Sequence, residues 1–398
     1  MTIASDETAT ATGEVRRHEP PGAAERARMR PEGIDTVAAL FTAMVASGAH
    51  PGAQLAVYRD GELVLELAAG TSHRGAPVEL DSLLGILSTT KMLAAMVAHM
   101  LHDRGVFAYS DPIAMHWPEF AAGGKGDITI EQLLSHRAGL TRKVAEGYLE
   151  WATWLEPGGV ERLMVEHAVN FPPGSANGYH AFSYGFILDQ LVLRWTGKNL
   201  GQVVRDEITG PLGIDDVYIG IPADRLERFI PFAPNPAQRL VPRAMLPEGG
   251  EESFFNSPLI LGLSLPWGNG VARARDLARL NQVYAHEGSF GGHTFFSPET
   301  FARLITPTNP PDARDLVLAS NVHWGLGVHL ADSEGTPMTA GKLFGAGAGA
   351  RCVGHLGGNC SVSWADADLR LSLSFMSTSA KAPASYEQLS DAVREACL

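Results

Sequence analysis

The spacing of apolar residues predicts a helix and then a hairpin at the start of the fold. From Ile34 to Ala46 apolar side chains recur every three or four positions, which is typical of an amphipathic helix with one buried face. Two β-prone runs, 53–59 and 62–69, follow and flank the dipeptide Asp60-Gly61. Asp-Gly between two such runs is a strong signal for a two-residue turn, so the runs are predicted to pair as an antiparallel hairpin.

The middle of the chain has helical spacing, and its C-terminal part alternates like strands. Residues 88–104 are rich in helix formers, carry a methionine at every fourth position and end at Gly105. Residues 110–264 are predicted to be mostly helical, with long connections rich in proline and glycine. The runs 359–364 and 369–376 alternate in polarity on either side of a turn, which predicts a second hairpin.

These elements predict an α+β fold, an antiparallel β-sheet flanked by helices with a mostly helical inserted lobe. We expect residues 31–109 and 265–398 to form the lobe that contains the sheet, closed by a helix at 386–396. Residues 110–264 are expected to form the inserted lobe, and both lobes together one domain. Residues 1–30 are rich in Ala, Thr, Glu, Arg and Pro and are predicted to be a disordered tail.

Composition and charge exclude several classes of partner. The formal net charge is −13, so the chain lacks the basic surface that nucleic acid or an anionic membrane selects. No run of about 18 apolar residues and no apolar leader occurs, so we expect neither a membrane span nor a signal peptide. The three cysteines, Cys352, Cys360 and Cys397, have no framework spacing, which favours a reducing cytoplasm over a disulfide-stabilised secreted protein.

Ser88-Thr-Thr-Lys91 has residue types that suit nucleophilic catalysis. A spacing of three on a helix places both side chains on one face, about a turn apart. A serine hydroxyl needs a base to take its proton, and a lysine serves when burial lowers its pKa. The tetrad opens an apolar, methionine-rich helix, where a lysine is costly to bury. The alternative interpretation is a capping serine followed by a surface lysine.

Two further segments carry candidate functional residues. Tyr179 lies in a loop of turn-forming residues that leads into a predicted helix, where its hydroxyl is a candidate proton carrier; a buried core tyrosine is the alternative. The segment Gly354-His-Leu-Gly-Gly358 precedes a predicted strand, and its glycines permit close backbone approach to a ligand. A backbone N–H from this segment is a candidate for stabilising an oxyanion.

In this order, the three segments resemble the serine β-lactamase and penicillin-binding-protein superfamily, in particular its class C β-lactamase and family VIII carboxylesterase branch. Ser88-Thr-Thr-Lys91 resembles the S-x-x-K motif, and Tyr179 the tyrosine of Tyr-x-Asn. His355-Leu-Gly357 lies where the superfamily has Lys-Thr-Gly or His-x-Gly. The resemblance extends from about residue 33 to the end of the chain.

The resemblance implies a role for each matching residue. Lys91 is expected to be the general base for Ser88, and Tyr179 to pass the proton to the leaving group. The N–H groups of Ser88 and Gly358 are expected to form the oxyanion hole, with His355 and Gly357 completing the third motif. The implied enzyme is a serine carboxylesterase that needs neither a cofactor nor a metal and acts on a small-molecule ester or amide.

Two departures from the lactamase pattern bear on the substrate. Ala181 stands where the lactamases have asparagine, so the amide that holds a β-lactam side chain is missing. His355 replaces the lysine that pairs with a β-lactam carboxylate and is largely neutral near pH 7. Both changes favour esters, while Arg351 offers a positive charge nearby that keeps anionic substrates open. Candidate pocket residues besides Ala181 and Arg351 are Phe254, Phe255 and Trp267.

Other functions are weighed against this one. No G-x-S-x-G, H-E-x-x-H or G-x-G-x-x-G motif occurs in a suitable context, which argues against an α/β-hydrolase elbow, a zinc hydrolase and a nucleotide enzyme. Acyl transfer to an alcohol or amine stays open because it shares the acyl-enzyme with hydrolysis. Weak β-lactamase or D-amino peptidase activity is a further alternative. A catalytically silent binding protein is disfavoured because nucleophile, base and tyrosine are all present.

Overall fold

An antiparallel sheet of seven strands runs through the centre of the protein. The computed structural model describes residues 14–141, 151–234, 249–310, 312–334, 339–379 and 384–397. The strands are β1 (Arg16–His18), β2 (Gly52–Arg59), β3 (Glu62–Gly70), β4 (Leu84–Gly85), β5 (Val217–Ile219), β6 (Gly270–Ala272), β7 (Ser289–Phe290), β8 (His293–Thr294), β9 (His329–Leu330), β10 (Thr339–Ala340), β11 (Cys352–Gly357), β12 (Ser361–Asp366), β13 (Leu371–Ser377) and β14 (Ala384–Ser385). The central sheet has the order β1-β3-β2-β13-β12-β11-β9, with every pair antiparallel.

Helices pack on this sheet and fill the middle of the chain. The α-helices are α1 (Ala23–Arg26), α2 (Pro31–Ala46), α3 (Thr90–Asp103), α4 (Ile113–His116), α5 (Ile130–Leu134), α6 (Gly159–Glu166), α7 (Ser183–Thr196), α8 (Leu200–Val203), α9 (Gly250–Phe255), α10 (Pro258–Leu261), α11 (Ala274–Leu280), α12 (Gln282–Ala285), α13 (Pro298–Leu304) and α14 (Glu387–Glu395). The α+β class predicted from the sequence is confirmed.

Both predicted hairpins are present. The first joins β2 to β3 through Asp60 and Gly61, whose φ angles are 50° and 82°, as a type I′ turn requires. The second joins β12 to β13, seven residues of which continue the sheet onto β2. The early and late parts of the chain are therefore hydrogen-bonded to each other at the centre of one sheet.

The two faces of the sheet have different cores. On one face, α2 and α14 cover strand side chains such as Leu55, Val57 and Phe375. On the other face, α11 and α12 approach closely because the strands present small serines that bond the helices: Asn281 donates to Ser363, and the Ser372 hydroxyl donates to the carbonyl of Ala278. This second face continues into the core that holds α3 and α7, where the candidate catalytic segments lie.

The predicted disordered tail is wrong for residues 14–30. Strand β1 pairs with β3 and forms the edge of the sheet, and Met29 is buried against the C-terminal helix, where Arg30 N–H donates to the carbonyl of Ala396. The charges that suggested solvation are paired, since Arg16 bonds Glu79. Residues 1–13 lie outside the described part of the chain.

The segment 110–264 is mostly helical where it is described, as predicted. Its strand β5 joins β6 and β4 in a three-stranded sheet of order β4-β6-β5. Residues 142–150 and 235–248 of this segment lie outside the described ranges. None of the helices in the described residues is long and apolar enough to cross a membrane.

Candidate active site

A tight turn after β4 presents Ser88 at the start of α3. The turn is a 3-10 helix, Leu87–Thr89, and Leu87 has a φ of 45°, a left-handed conformation that costs a leucine energy. Thr90 holds the turn, because its hydroxyl donates to the Leu87 carbonyl and accepts from Gly270 N–H at 2.9 Å. Ser88 is partly exposed between buried neighbours, so its hydroxyl is accessible to a substrate.

Lys91 lies one turn further along α3 and is fully buried. Its Nζ is 3.4 Å from Ser88 Oγ, 3.0 Å from the Ala181 carbonyl oxygen and 2.6 Å from the Trp267 carbonyl oxygen. None of these three partners is a carboxylate, and burial lowers the pKa of Lys91 well below its usual value. A neutral amine has two N–H groups, which the two carbonyls accept. In that neutral form the lone pair of Nζ is left for the hydroxyl proton of Ser88.

Tyr179 lies beside Lys91, with its ring centroid 4.9 Å from Nζ. The ring is nearly parallel to that of Trp324, at 5.7 Å between centroids and 7° between planes. Burial raises the pKa of the Tyr179 phenol, and the neighbouring Ser88 hydroxyl partly offsets that rise. Tyr179 therefore keeps its proton at neutral pH and can donate it.

Hydrogen bonds of hydroxyl groups hold the segment after His355 and Gly357 next to the turn that carries Ser88. Ser361 Oγ donates to the Ile86 carbonyl at 2.7 Å and lies 2.9 Å from Thr89 Oγ1. Gly357 has no room for a side chain, since a Cβ there would lie 2.2 Å from the Ile86 carbonyl oxygen. Gly358 follows in a left-handed conformation, with φ of 49°. The end of β11 is thus held beside Ser88, and the oxyanion hole of Ser88 and Gly358 N–H groups stays a prediction.

Four of the five predicted pocket residues lie near Ser88 or Lys91, and Arg351 does not. Phe254, Phe255 and Trp267 line an apolar cavity of about 20 Å³, together with Leu87 and Gly268. Leu87 precedes Ser88 in the chain, and a Cβ at Gly268 would lie 3.9 Å from Ser88 N, so the cavity is beside Ser88. Ala181 contributes its carbonyl oxygen to Lys91. Arg351 makes its contacts elsewhere: it pairs with Glu287 at 2.5 Å and Asp368 at 3.4 Å and packs on Phe301. The expectation that Arg351 brings positive charge to the pocket is therefore wrong.

Comparison with known proteins identifies the family. A family model described as Beta-lactamase matches residues 37–398. The chain belongs to the β-lactamase family. The Esterase/beta-lactamase LipL of Mycobacterium tuberculosis is 31% identical over 353 residues, covering 82% of this chain and 76% of LipL. The Acyltransferase mokF of Monascus pilosus is 28% identical over 221 residues, covering 46% of this chain and 51% of mokF. A solved structure of a family VIII carboxylesterase has a TM-score of 0.77 and 26% identity, covering 97% of this chain and 100% of that one.

This member of the β-lactamase family has three buried histidines near the site, His355, His329 and His136, of which only His355 was named from the sequence. His355 is buried, and its Nδ1 lies 2.7 Å from the Leu356 carbonyl oxygen, so Nδ1 carries the proton. His329 packs on it with 4.3 Å between ring centroids, and His136 lies 4.2 Å from the Trp324 ring. Burial lowers the pKa of all three imidazoles, so they are neutral near pH 7. The described residues contain no group of side chains that could hold a metal ion.

A buried aspartate is the second feature that sequence reasoning missed. Asp315 is 1% exposed and accepts a hydrogen bond from the backbone N–H of Tyr179 at 3.1 Å. Nothing in the sequence marks this residue, because it belongs to a loop 136 residues after Tyr179 and matches none of the three motifs. Only the folded arrangement shows that a carboxylate supports the catalytic tyrosine candidate.

Proposed function

We propose that this protein is a serine esterase that cleaves uncharged carboxylic esters through an acyl-Ser88 intermediate. The observation that carries the proposal is the environment of Lys91, which is buried, bonded to two carbonyls and 3.4 Å from Ser88 Oγ. Burial lowers the pKa of Lys91, and a lysine in its neutral form is a base, whereas a protonated lysine is not. LipL and the family VIII carboxylesterase, whose names state esterase activity, support the same assignment.

The proposed acylation step uses three side chains. Lys91 Nζ accepts the Ser88 hydroxyl proton as Oγ attacks the ester carbonyl, and the N–H groups of Ser88 and Gly358 hold the resulting oxyanion. The C–O bond to the alcohol then breaks, and Tyr179 donates its proton to the departing oxygen. The proton on Lys91 returns to Tyr179, which restores both groups. Water then attacks the acyl-enzyme with the same groups and releases the acid and free Ser88.

Acyl transfer is the second candidate function. It differs from hydrolysis only in the final acceptor, an alcohol or amine in place of water, and the similarity to mokF favours it. Adding a primary alcohol during ester hydrolysis separates the two activities. An acyltransferase yields the new ester in excess of free acid, while an esterase yields free acid.

The proposal is tested by hydrolysis of p-nitrophenyl acetate by the wild type, Ser88→Ala and the matched control Ser175→Ala. Ser175 lies in an exposed turn, where its hydroxyl donates to the Pro172 carbonyl. We expect Ser88→Ala to fall to the uncatalysed rate and Ser175→Ala to keep wild-type activity. A fluorophosphonate should label the wild type on Ser88, as seen by mass spectrometry of the labelled peptide. Equal activity of Ser88→Ala and the wild type would show that Ser88 is not the nucleophile.

We further propose that the enzyme works in the cytoplasm. Cys352 and Cys360 are free thiols in the protein core, and burial raises the pKa of both, which keeps them unreactive. Such an arrangement suits a reducing compartment. Cell fractionation with an antibody against the protein tests this location, and recovery in a secreted or membrane fraction would contradict it.

A further inference from the structure

The loop that carries Tyr179 has no helix or strand of its own to hold the ring. Tyr179 precedes α7 by four residues, and its neighbours bond to the turn at His136: Gly178 N–H donates to the His136 carbonyl, and His180 N–H donates to His136 Nδ1 at 3.1 Å. These bonds fix the flanking backbone but not the direction of the phenol. A proton carrier must keep its oxygen within hydrogen-bonding distance of the reacting groups, so the orientation of this ring matters for catalysis.

Asp315 connects the backbone of Tyr179 to Trp324, the residue on which the Tyr179 ring stacks. Oδ1 accepts from Tyr179 N–H at 3.1 Å and from the N–H groups of Val317 and Leu318 at 2.8 and 2.9 Å. Oδ2 accepts from Trp324 Nε1–H at 3.2 Å. The bonds to residues 317 and 318 are local turn bonds of the kind that many aspartates make. The bonds to Tyr179 and Trp324 are not local, and together they hold the loop and the indole on which the phenol stacks.

The carboxylate also stabilises the protonated form of the phenol. The negative charge of Asp315 adds to burial in raising the pKa of Tyr179. Asp315 is 1% exposed, and its charge is balanced by the four N–H donors. These four hydrogen bonds offset the free-energy cost of burying the carboxylate, and two of them come from Tyr179 and its stacking partner Trp324.

We infer that Asp315 is a positioning residue for catalysis, which aims the Tyr179 hydroxyl at Ser88 and the departing oxygen through the indole of Trp324. The inference rests on the proposed esterase function. Asp315 touches neither the substrate nor the reacting atoms. It acts by keeping the Tyr179 backbone and the Trp324 ring in one fixed arrangement, so its loss should lower kcat while the substrate KM stays close to the wild-type value.

The test uses Asp315→Asn, which changes only one of the two oxygens. The amide oxygen can still accept the three backbone N–H groups, but the amide nitrogen then faces Trp324 Nε1–H, and two donors oppose each other. We expect kcat for p-nitrophenyl acetate to fall about 10- to 100-fold, because misplacement of a catalytic group by about 1 Å costs up to that much. Trp324→Phe keeps a ring but removes the N–H, so Asp315→Asn/Trp324→Phe should match Trp324→Phe within about threefold.

A cycle with Tyr179→Phe separates positioning from a general loss of stability. If Asp315 acts through the Tyr179 hydroxyl, Asp315→Asn should change kcat by less than about twofold in the Tyr179→Phe background. The matched control is Asp189→Asn, since Asp189 is half-buried and accepts hydrogen bonds from Leu200 N–H and the Ser264 hydroxyl, away from the Tyr179 loop. This control should keep kcat within about twofold of the wild type.

The possible results are distinct. An active wild type whose kcat is unchanged by Asp315→Asn would overturn this inference alone. An equal fold-loss in the wild-type and Tyr179→Phe backgrounds would overturn it too, because Asp315 would then act independently of the hydroxyl. A wild type that neither hydrolyses esters nor reacts with the fluorophosphonate at Ser88 would overturn the proposed function and this inference together.

Discussion

The neutral state of Lys91 can be measured through the pH dependence of stability. In the folded protein burial lowers the pKa of Lys91 well below 10.5, while in the unfolded chain the amine regains its ordinary pKa. Between those two values the unfolded state binds one proton more than the folded state. Stability therefore rises with pH across this window, by 2.303RT or about 1.4 kcal/mol per pH unit for one proton. Because the neutral amine of Lys91 is the proposed base, we also expect kcat/KM to rise with pH through the lowered pKa of Lys91.

Lys91→Met removes this contribution while filling similar space with an apolar chain. We expect the free energy of unfolding of the wild type to gain about 1.4 kcal/mol per pH unit relative to Lys91→Met within the window. Urea denaturation at pH 7, 8 and 9, followed by circular dichroism, gives both curves. Taking the difference between the two proteins cancels the titration of tyrosines and cysteines, which they share. Lys91→Met should also lose about 100- to 10,000-fold in kcat, the usual contribution of a general base.

Lys198→Met is the matched control for this experiment. Lys198 is fully exposed and pairs with Asp206 at the surface, so it stays protonated in both states at these pH values. Its replacement should leave the slope of stability against pH unchanged. Parallel stability curves for the wild type and Lys91→Met would refute the reasoning, since they would mean that Lys91 binds its proton equally in the folded and unfolded states. Lys91 would then be no base at neutral pH.

Two further predictions concern the substrate. The apolar cavity beside Ser88 has a volume of about 20 Å³, roughly the space of one small group. We therefore expect kcat/KM to be at least about tenfold higher for p-nitrophenyl acetate than for p-nitrophenyl octanoate, and Phe254→Ala to reduce this ratio. A preference of the wild type for the octanoate would contradict the role of the cavity. Buried His355 is neutral, and Ala181 has no side-chain amide, so the chromogenic β-lactam nitrocefin should turn over at least about 100-fold less efficiently than the acetate. Equal efficiencies in a spectrophotometric assay would show that these two positions do not set the preference.

Local signals in the sequence were enough to predict the hairpins and the proximity of Ser88 and Lys91. Asp60-Gly61 specifies its own turn, and the S-x-x-K spacing places Lys91 on the same helical face as Ser88 wherever that helix lies. Both predictions depend on residues close together in the chain. The hydrogen-bond partners of buried Lys91 do not, since the Ala181 and Trp267 carbonyls come from loops 90 and 176 residues away and are backbone atoms that any residue type could supply.

The errors have the same origin. The segment 14–30 looks like a solvated tail by composition, but β3 offers it a free strand edge, and backbone pairing depends little on side-chain type. Arg351 lies near the third motif in the chain, yet it is paired with Glu287, a residue 64 positions earlier. Asp315 approaches Tyr179 through the loop after α13, and His329 approaches His355 because strand β9 pairs with β11. These are long-range contacts, which composition and spacing do not encode.

The electrostatics of the site give a physical reason for the proposed preference for neutral esters. Burial lowers the pKa of Lys91 and of His355, and it holds Tyr179 neutral by raising its pKa. In such surroundings a charge on the substrate would lose its hydration, and Arg351, the cation considered from the sequence as a counter-ion, is engaged elsewhere. The charge that develops on the oxyanion during acylation is different, because it arises next to the N–H groups predicted to hold it. A low local dielectric strengthens that interaction in the transition state alone, so the same burial that disfavours charged substrates favours the reaction of uncharged ones.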